Sequence, residues 1–85
     1  GIKLKPIKGG RITTTIANQE LIKEGALKKV TIHNQSEKEI TVMINGGNKI
    51  PLGADESMKL GNLKVVSIII VERGSIVRFI GAEVS

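Results

Sequence analysis

The sequence is a succession of short runs rich in isoleucine, valine and threonine, separated by segments of turn-forming residues. Within several runs apolar and polar residues alternate, which is typical of strands with one face on a core. The separating segments are rich in glycine, asparagine and serine, which tolerate tight turns. Because 85 residues suit one domain, the pattern predicts a single compact all-β domain, an antiparallel β-sandwich or barrel of six to seven short strands.

Strand assignments follow from the alternation. In the run 11–17 we expect Ile12, Thr14 and Ile16 to share one face. Further strands are expected over 28–33, 39–44, 49–52, 63–71 and 76–80. The inward side chains predicted for 28–33 and 39–44 are Val30, Ile32, Ile40, Val42 and Ile44. Residues 53–62 are expected to be a loop, with Met58 and Leu60 covering the core.

Turn and cap residues predict the connections between these strands. Asn45-Gly46 predicts a hairpin between 39–44 and 49–52, because both residues tolerate positive φ. The turn at Gly74 predicts a second hairpin, in which 76–80 returns antiparallel to 63–71. Only the segment 18–25 suggests a short helix, which Asn18 would cap and Gly25 would end.

The net charge of +5 is concentrated near the N-terminus. The first eleven residues contain four cations and no acid, namely Lys3, Lys5, Lys8 and Arg11. We therefore divide the chain into a basic N-terminal arm or edge strand, 1–11, and a single domain, 12–85. Such a segment either docks on an anionic partner or is a solvated edge whose lysines oppose edge-to-edge pairing.

The run 63–71 is apolar on both of its faces. A domain of this size has little material with which to cover both faces of a strand. Either a second sheet covers this strand, or one face meets a neighbouring subunit in a homo-oligomer. The candidates for that subunit interface are Val66, Ile68 and Ile70.

Residues of catalytic type are sparse. The only histidine is His33, and Asp55, Glu56 and Ser57 lie together in a predicted loop, but no spacing demands a catalytic triad. With one histidine, no cysteine and no phosphate-binding glycine motif, we expect no bound metal, no cofactor and no enzymatic activity. No apolar run reaches the roughly 20 residues of a membrane helix and no secretory signal is visible, so we expect no membrane partner and no secretion.

The sequence pattern of strands and turns from Val30 to Gly81 resembles that of a known class of proteins. The segments that carry the resemblance are Val30–Ser36, Ile40–Gly47, Ile50–Leu52, Val65–Ile70 and Gly74–Gly81. They resemble the small all-β structural proteins of tailed bacteriophages, of the decoration, head-fibre or tail-accessory type. The resemblance implies a non-enzymatic virion component that docks on a capsid or tail protein as a homo-oligomer. In that role residues 3, 5, 8 and 11 would belong to the docking arm.

The basic charge also supports an alternative, a small β-barrel that binds nucleic acid. Its phosphate contacts would come from Lys3, Lys5, Lys8, Arg11, Lys28 and Lys29. Barrels of this kind add aromatic side chains on which bases stack. Because Phe79 is the only aromatic residue and lies in an apolar run, we rank this function second.

Overall fold

A computed structural model describes residues 7–84. Over this range the chain forms eight β-strands and no helix. The strands are β1 (Ile7–Thr13), β2 (Gln19–Glu20), β3 (Leu27–Asn34), β4 (Ile40–Ile44), β5 (Lys49–Leu52), β6 (Ser57–Lys59), β7 (Ile68–Ile70) and β8 (Ile76–Glu83). The predicted all-β, antiparallel architecture is confirmed, with eight strands in place of six or seven.

The strands form two four-stranded antiparallel sheets that enclose one core. Sheet A has the order β1-β8-β3-β6, and sheet B has the order β2-β7-β4-β5. The core between them is aliphatic apart from Phe79. Its most deeply buried apolar side chains come from both sheets and are Val30, Ile32, Ile40, Val42, Val65, Ile68, Ile70 and Val77.

Alternation in β3 and β4 follows the sequence prediction. Val30 and Ile32 point into the core from sheet A, and all three predicted inward residues of β4 point into it from sheet B. The β4–β5 hairpin is also confirmed. Asn45 and Gly46 have φ values of 52° and 70°, and the Gly47 amide donates to the Ile44 carbonyl at 2.9 Å. Positive φ at both central residues is the requirement of the tight turn that suits a two-stranded ribbon.

The predicted hairpin at Gly74 is wrong. β7 pairs with β2 and β4 in sheet B, whereas β8 pairs with β1 and β3 in sheet A. The chain crosses between the sheets at Gly74 because Thr14, just after β1, holds the turn. The Gly74 amide donates to the Thr14 carbonyl at 2.8 Å, and the Ser75 amide donates to Thr14 Oγ1 at 2.8 Å.

The predicted helix over 18–25 is absent from the structure. Asn18 and Gly25 have φ values of 53° and 75°, so both act as turn residues. The backbone between them extends along β7, where the Leu21 amide donates to the Ile68 carbonyl at 2.8 Å. Pairing with a neighbouring strand and burial of Leu21 and Ile22 in the core outweigh the weak local helix preference of so short a segment.

The expected long strand 63–71 is divided between the sheets. Val65 bridges to Leu27 in sheet A, and the regular strand in sheet B begins only at Ile68. Ile68 and Ile70 are 0% exposed in the core of a single chain, so the second sheet covers them. These two residues are therefore wrong as oligomer-interface candidates, because no surface of theirs is left for a neighbouring subunit. Val66 is 50% exposed.

Two further expectations concern chain segments near the sheet edges. The predicted loop 53–62 contains the short edge strand β6, and Met58 and Leu60 pack against the core as expected.

The predicted strand 11–17 is shorter in the structure. Thr14 is buried, but Ile16 lies beyond the end of β1 and is exposed. Lys8 and Arg11 lie in β1, an edge strand of sheet A. Lys3 and Lys5 lie outside the residues that the structure describes.

A candidate docking site on the outer face of sheet A

The outer face of sheet A carries a row of three cationic or protonatable side chains. Arg78 lies in β8 between the buried Val77 and Phe79, so strand alternation directs it away from the core. Arg11 on β1 and His33 on β3 lie directly opposite Arg78 in the two strand pairs. The three side chains therefore form one row across three hydrogen-bonded strands. β8 is the central strand of the three and is paired with β1 on one side and with β3 on the other.

This row lines an open groove at the surface. The groove is lined by Gly10, Arg11, His33, Gln35, Asp55 and Arg78. It contains both arginines of sheet A, although the chain has ten lysines and only three arginines. A guanidinium group binds carboxylates and phosphates through two parallel hydrogen bonds, which lysine does not provide. The groove therefore has the donors of an oxyanion-binding site.

Neither arginine of the groove has an acidic partner among residues 7–84. In this range Lys8 Nζ lies 3.8 Å from Glu83 Oε1, and His33 Nε2 lies 2.8 Å from Asp55 Oδ1. Over the same range no carboxylate lies within 4 Å of either guanidinium. Like charges directly opposite each other on antiparallel strands are destabilising. An external anion bound between Arg11 and Arg78 would therefore offset their mutual repulsion.

His33 and Asp55 lie together at the end of the groove beside β3. His33 Nε2 contacts Asp55 Oδ1 at 2.8 Å and the Asp55 carbonyl oxygen at 3.2 Å. The Asp55 amide donates to the Asn34 carbonyl at 2.9 Å, which fixes the loop beside β3. Ser57 lies opposite His33 across β3 and β6, but no hydrogen bond joins them in the described part of the chain. The structure thus gathers these residues without assembling the relay of a triad.

Beside the arginine pair the same face has a recess flanked by two exposed isoleucines. Gly9 on β1 lies opposite Ile80 on β8. A Cβ atom at Gly9 would collide with the Phe79 carbonyl oxygen and lie 2.8 Å from the Ile80 Cα, so only glycine allows this close approach of the strands. Ile7 and Ile80, which are 70% and 51% exposed, stand on either side. The recess adjoins the groove at Gly10 and Arg78.

The structure distributes the predicted cationic residues unevenly. Arg11 lies in the groove, and Lys28 is on the same outer face because it pairs with Ala82. Lys8 pairs with Gly81, which faces the core, so Lys8 projects to the opposite side of β1 and meets Glu83. Lys29 occupies a bulge in β3, with a φ value of 54°. The six cations of the nucleic-acid hypothesis therefore do not form one surface, as far as the described ones show.

Sequence reasoning missed Arg78 and Lys59 as members of this face. Lys59 on β6 lies opposite Thr31 on β3, one row along from His33. The flanking apolar residues of Arg78 do indicate that its side chain points outward. Nothing in the sequence indicates that β1 is the neighbour of β8, and this pairing creates the arginine pair.

Two structural searches bear on other kinds of site. Over residues 7–84 no three side chains of the His, Cys, Asp and Glu types converge closely enough to hold a metal ion. In the same range there is no helix with the length and hydrophobicity needed to traverse a bilayer. Comparisons with models of protein families, with curated proteins and with solved structures found no match.

Proposed function

We propose that this chain is a non-enzymatic virion structural protein that docks on a phage capsid or tail through the outer face of sheet A. The observation that carries the proposal is the Arg11–Arg78 pair, which faces solvent without an acidic partner among residues 7–84. Arginine is enriched in protein interfaces, where its planar group forms bidentate contacts. An acidic shell protein would supply the missing negative charge.

The scaffold under this face suits a docking role. β8 is hydrogen-bonded to β1 on one side and to β3 on the other, and its inner face is anchored in the core by Val77 and Phe79. Side chains on such a strand lose little backbone freedom when a partner binds, so more of the contact energy appears as affinity. The face is pre-organised in the unbound chain.

The virion assignment is supported by the resemblance of residues 30–81 to small phage structural proteins. The resemblance is to all-β proteins, and residues 7–84 form two antiparallel sheets. The net charge of +5 favours attraction to an acidic particle surface.

Co-sedimentation with particles of the phage that encodes the chain tests this function. The wild type is expected to pellet with the particles, and Arg11→Glu/Arg78→Glu is expected to stay in the supernatant. Lys23→Glu/Lys64→Glu makes the same change in net charge at exposed positions outside sheet A and is expected to pellet like the wild type. Wild-type protein that never pellets, or controls that fail equally, would overturn the proposal.

Nucleic-acid binding is the second candidate, because the same two guanidinium groups could hold a phosphodiester. Titration of labelled single-stranded and duplex oligonucleotides at low and physiological salt separates the two functions. Tight binding that survives physiological salt would put the nucleic-acid function first. Binding lost by physiological salt is the weak, sequence-independent attraction expected of any basic protein.

The homo-oligomer implied by the resemblance remains a prediction. Of its three candidate residues only Val66 reaches the surface. Sedimentation velocity of the wild type and of Val66→Lys checks it. An oligomer that Val66→Lys dissociates would support the prediction, and a monomeric wild type would contradict it.

A further inference from the structure

We infer that the arginine groove and the adjoining recess, with its two exposed isoleucines, act as one hot spot, which binds a carboxylate side chain and a neighbouring apolar side chain from an extended segment of the partner protein. This inference rests on the proposed docking function and specifies the chemistry of the partner. We call the surface formed by Ile7, Gly9, Arg11, Arg78, Ile80 and Ala82 the docking patch.

The strand register arranges the docking patch as three rows of two residues. Arg11 lies opposite Arg78, Gly9 opposite Ile80, and Ile7 opposite Ala82. Alternate residues along a strand are about 7 Å apart, so each row lies about 7 Å from the next. One end of the patch is cationic and the other is aliphatic. The same spacing separates alternate side chains of an extended partner, so an acidic residue at the arginine row would place the residue two positions along at the adjacent Gly9–Ile80 row, where an apolar side chain would contact Ile80.

The charge of the groove matches a single carboxylate. The charged groups that line it are Arg11, Arg78 and Asp55, together with His33 when that ring is protonated. With His33 neutral, the two arginines leave one positive charge in excess over Asp55. One carboxylate would balance it and could accept hydrogen bonds from both guanidinium groups.

The apolar half of the docking patch favours a protein over a nucleic acid. Ile7 and Ile80 are the two large aliphatic side chains most exposed on this face, and on β1 Gly9 lies between Ile7 and Arg11. Phe79, the only aromatic residue, points into the core, so this face has no platform for base stacking. Arginine is one of the residue types enriched in protein-binding hot spots, and here the arginine pair adjoins exposed aliphatic side chains, with charge at one end of the patch only.

The test is an amide NMR titration of the ¹⁵N-labelled chain with two probes at physiological salt. One is a decapeptide that repeats Asp-Ser-Leu-Ser, so that Asp and Leu lie two positions apart, and the other is a ten-nucleotide oligothymidylate. The peptide is expected to give saturable shifts at Gly9, Gly10, Arg78 and Ile80. Arg11→Gln/Arg78→Gln and Ile80→Thr are each expected to weaken peptide binding about tenfold. All three side chains are exposed, so the spectra of the free variants should show an unchanged fold.

Lys23→Gln/Lys64→Gln is the matched control and is expected to bind the peptide like the wild type. Chemical-shift changes spread over lysines outside the docking patch, or an equal loss of peptide affinity in the control variant, would overturn the proposed hot spot. Tighter binding of the oligothymidylate at the same amides would replace the protein partner with a nucleic acid.

Particle co-sedimentation of the same variants distinguishes failure of the hot spot from failure of the docking function. If wild type and Ile80→Thr pellet equally, the docking function stands and the apolar half of the hot spot is wrong. If the wild type does not pellet although the peptide binds at the patch, the particle assignment is wrong and the binding chemistry stands.

Discussion

Acidic side chains beside sheet B and basic side chains on sheet A are used differently in this domain. Glu20 accepts hydrogen bonds from the Ser67 hydroxyl and from the Ile68 amide, the latter at 2.7 Å. Glu72 accepts from both the amide and the hydroxyl of Thr41 at 2.7 Å. By contrast, no hydrogen bond or ion pair involves the Arg11 or Arg78 side chain within residues 7–84.

The difference separates groups that hold the fold from groups that remain available to a partner. Carboxylates at the ends of β2 and β7 satisfy backbone amides where strands begin, so they connect segments distant in sequence. The arginines contribute no such connection and repel each other. We therefore expect substitutions of the internally bonded polar residues to reduce stability, and substitutions of the arginines to reduce binding without a loss of stability.

The largest expected effect is at Asn34, a fully buried amide that joins three chain segments. Its Nδ2 contacts the carbonyl oxygens of Lys38, Leu52 and Gly53 at 2.8 to 3.0 Å, and its Oδ1 accepts from the Ser36 amide. Asn34→Ala leaves these groups unpaired and should lower the free energy of unfolding by about 3 kcal/mol in urea denaturation. The exposed Asn48→Ala should change it by less than about 0.5 kcal/mol. Equal losses of stability in the two variants would show that the hydrogen bonds of Asn34 do not hold the fold.

A smaller loss is expected from Gly9→Ala, which tests the recess in the docking patch. The added Cβ would meet the β8 backbone, so Gly9→Ala should cost about 2 kcal/mol of unfolding free energy. A Cβ at the adjacent Gly10 meets nothing within 4 Å, so Gly10→Ala should be neutral or slightly stabilising. If thermal unfolding shows the same midpoint for both variants, the strands are not as close at Gly9 as described.

The pH dependence of stability tests whether Glu72 supports the fold. Partial burial opposes ionisation of Glu72, but hydrogen bonds from Thr41 and the charge of Lys49 outweigh it, so its pKa is lower than the usual 4.5. A lowered folded-state pKa stabilises the ionised, folded form above pH 4.5, and this contribution disappears as the pH falls through the folded-state value.

Urea denaturation between pH 6 and pH 3 measures this contribution. The wild type should lose stability on acidification more steeply than Glu72→Gln, which has no carboxylate to protonate. Glu37→Gln, at an exposed position, is the control and should follow the wild type. A Glu72→Gln curve parallel to the wild-type curve would remove Glu72 from the residues that hold the fold.

The smallest expected effect is a gain in stability when one arginine is removed. Arg78→Gln abolishes the repulsion with Arg11 and should raise the free energy of unfolding by about 0.5 kcal/mol at low salt. At high salt the unfolding free energies of Arg78→Gln and the wild type should be closer, because exposed charges are screened. Lys64→Gln serves as the control and should be neutral. A loss of stability in Arg78→Gln would show that the arginine pair contributes to the fold.

Local patterns predicted the elements whose geometry depends on adjacent residues. Alternation along β3 and β4 predicted which side chains are buried, and Asn45-Gly46 predicted the turn that joins β4 to β5. At Asn18 and Gly25 the same reasoning failed, because a residue that can cap a helix can also form a turn with positive φ. The Gly74 turn was recognised, but its outcome depends on the hydrogen bonds of Thr14, far away in the chain.

Composition, alternation and turn chemistry are local properties, and they suffice to predict an all-β domain with an aliphatic core and to place Arg11 in a basic segment. Two other features depend on the fold: the chain's own second sheet covers Ile68 and Ile70, and Arg11 lies opposite Arg78. Strand pairing is set by hydrogen bonds and packing between distant segments, so residues from opposite ends of the chain become neighbours only when sheet A forms.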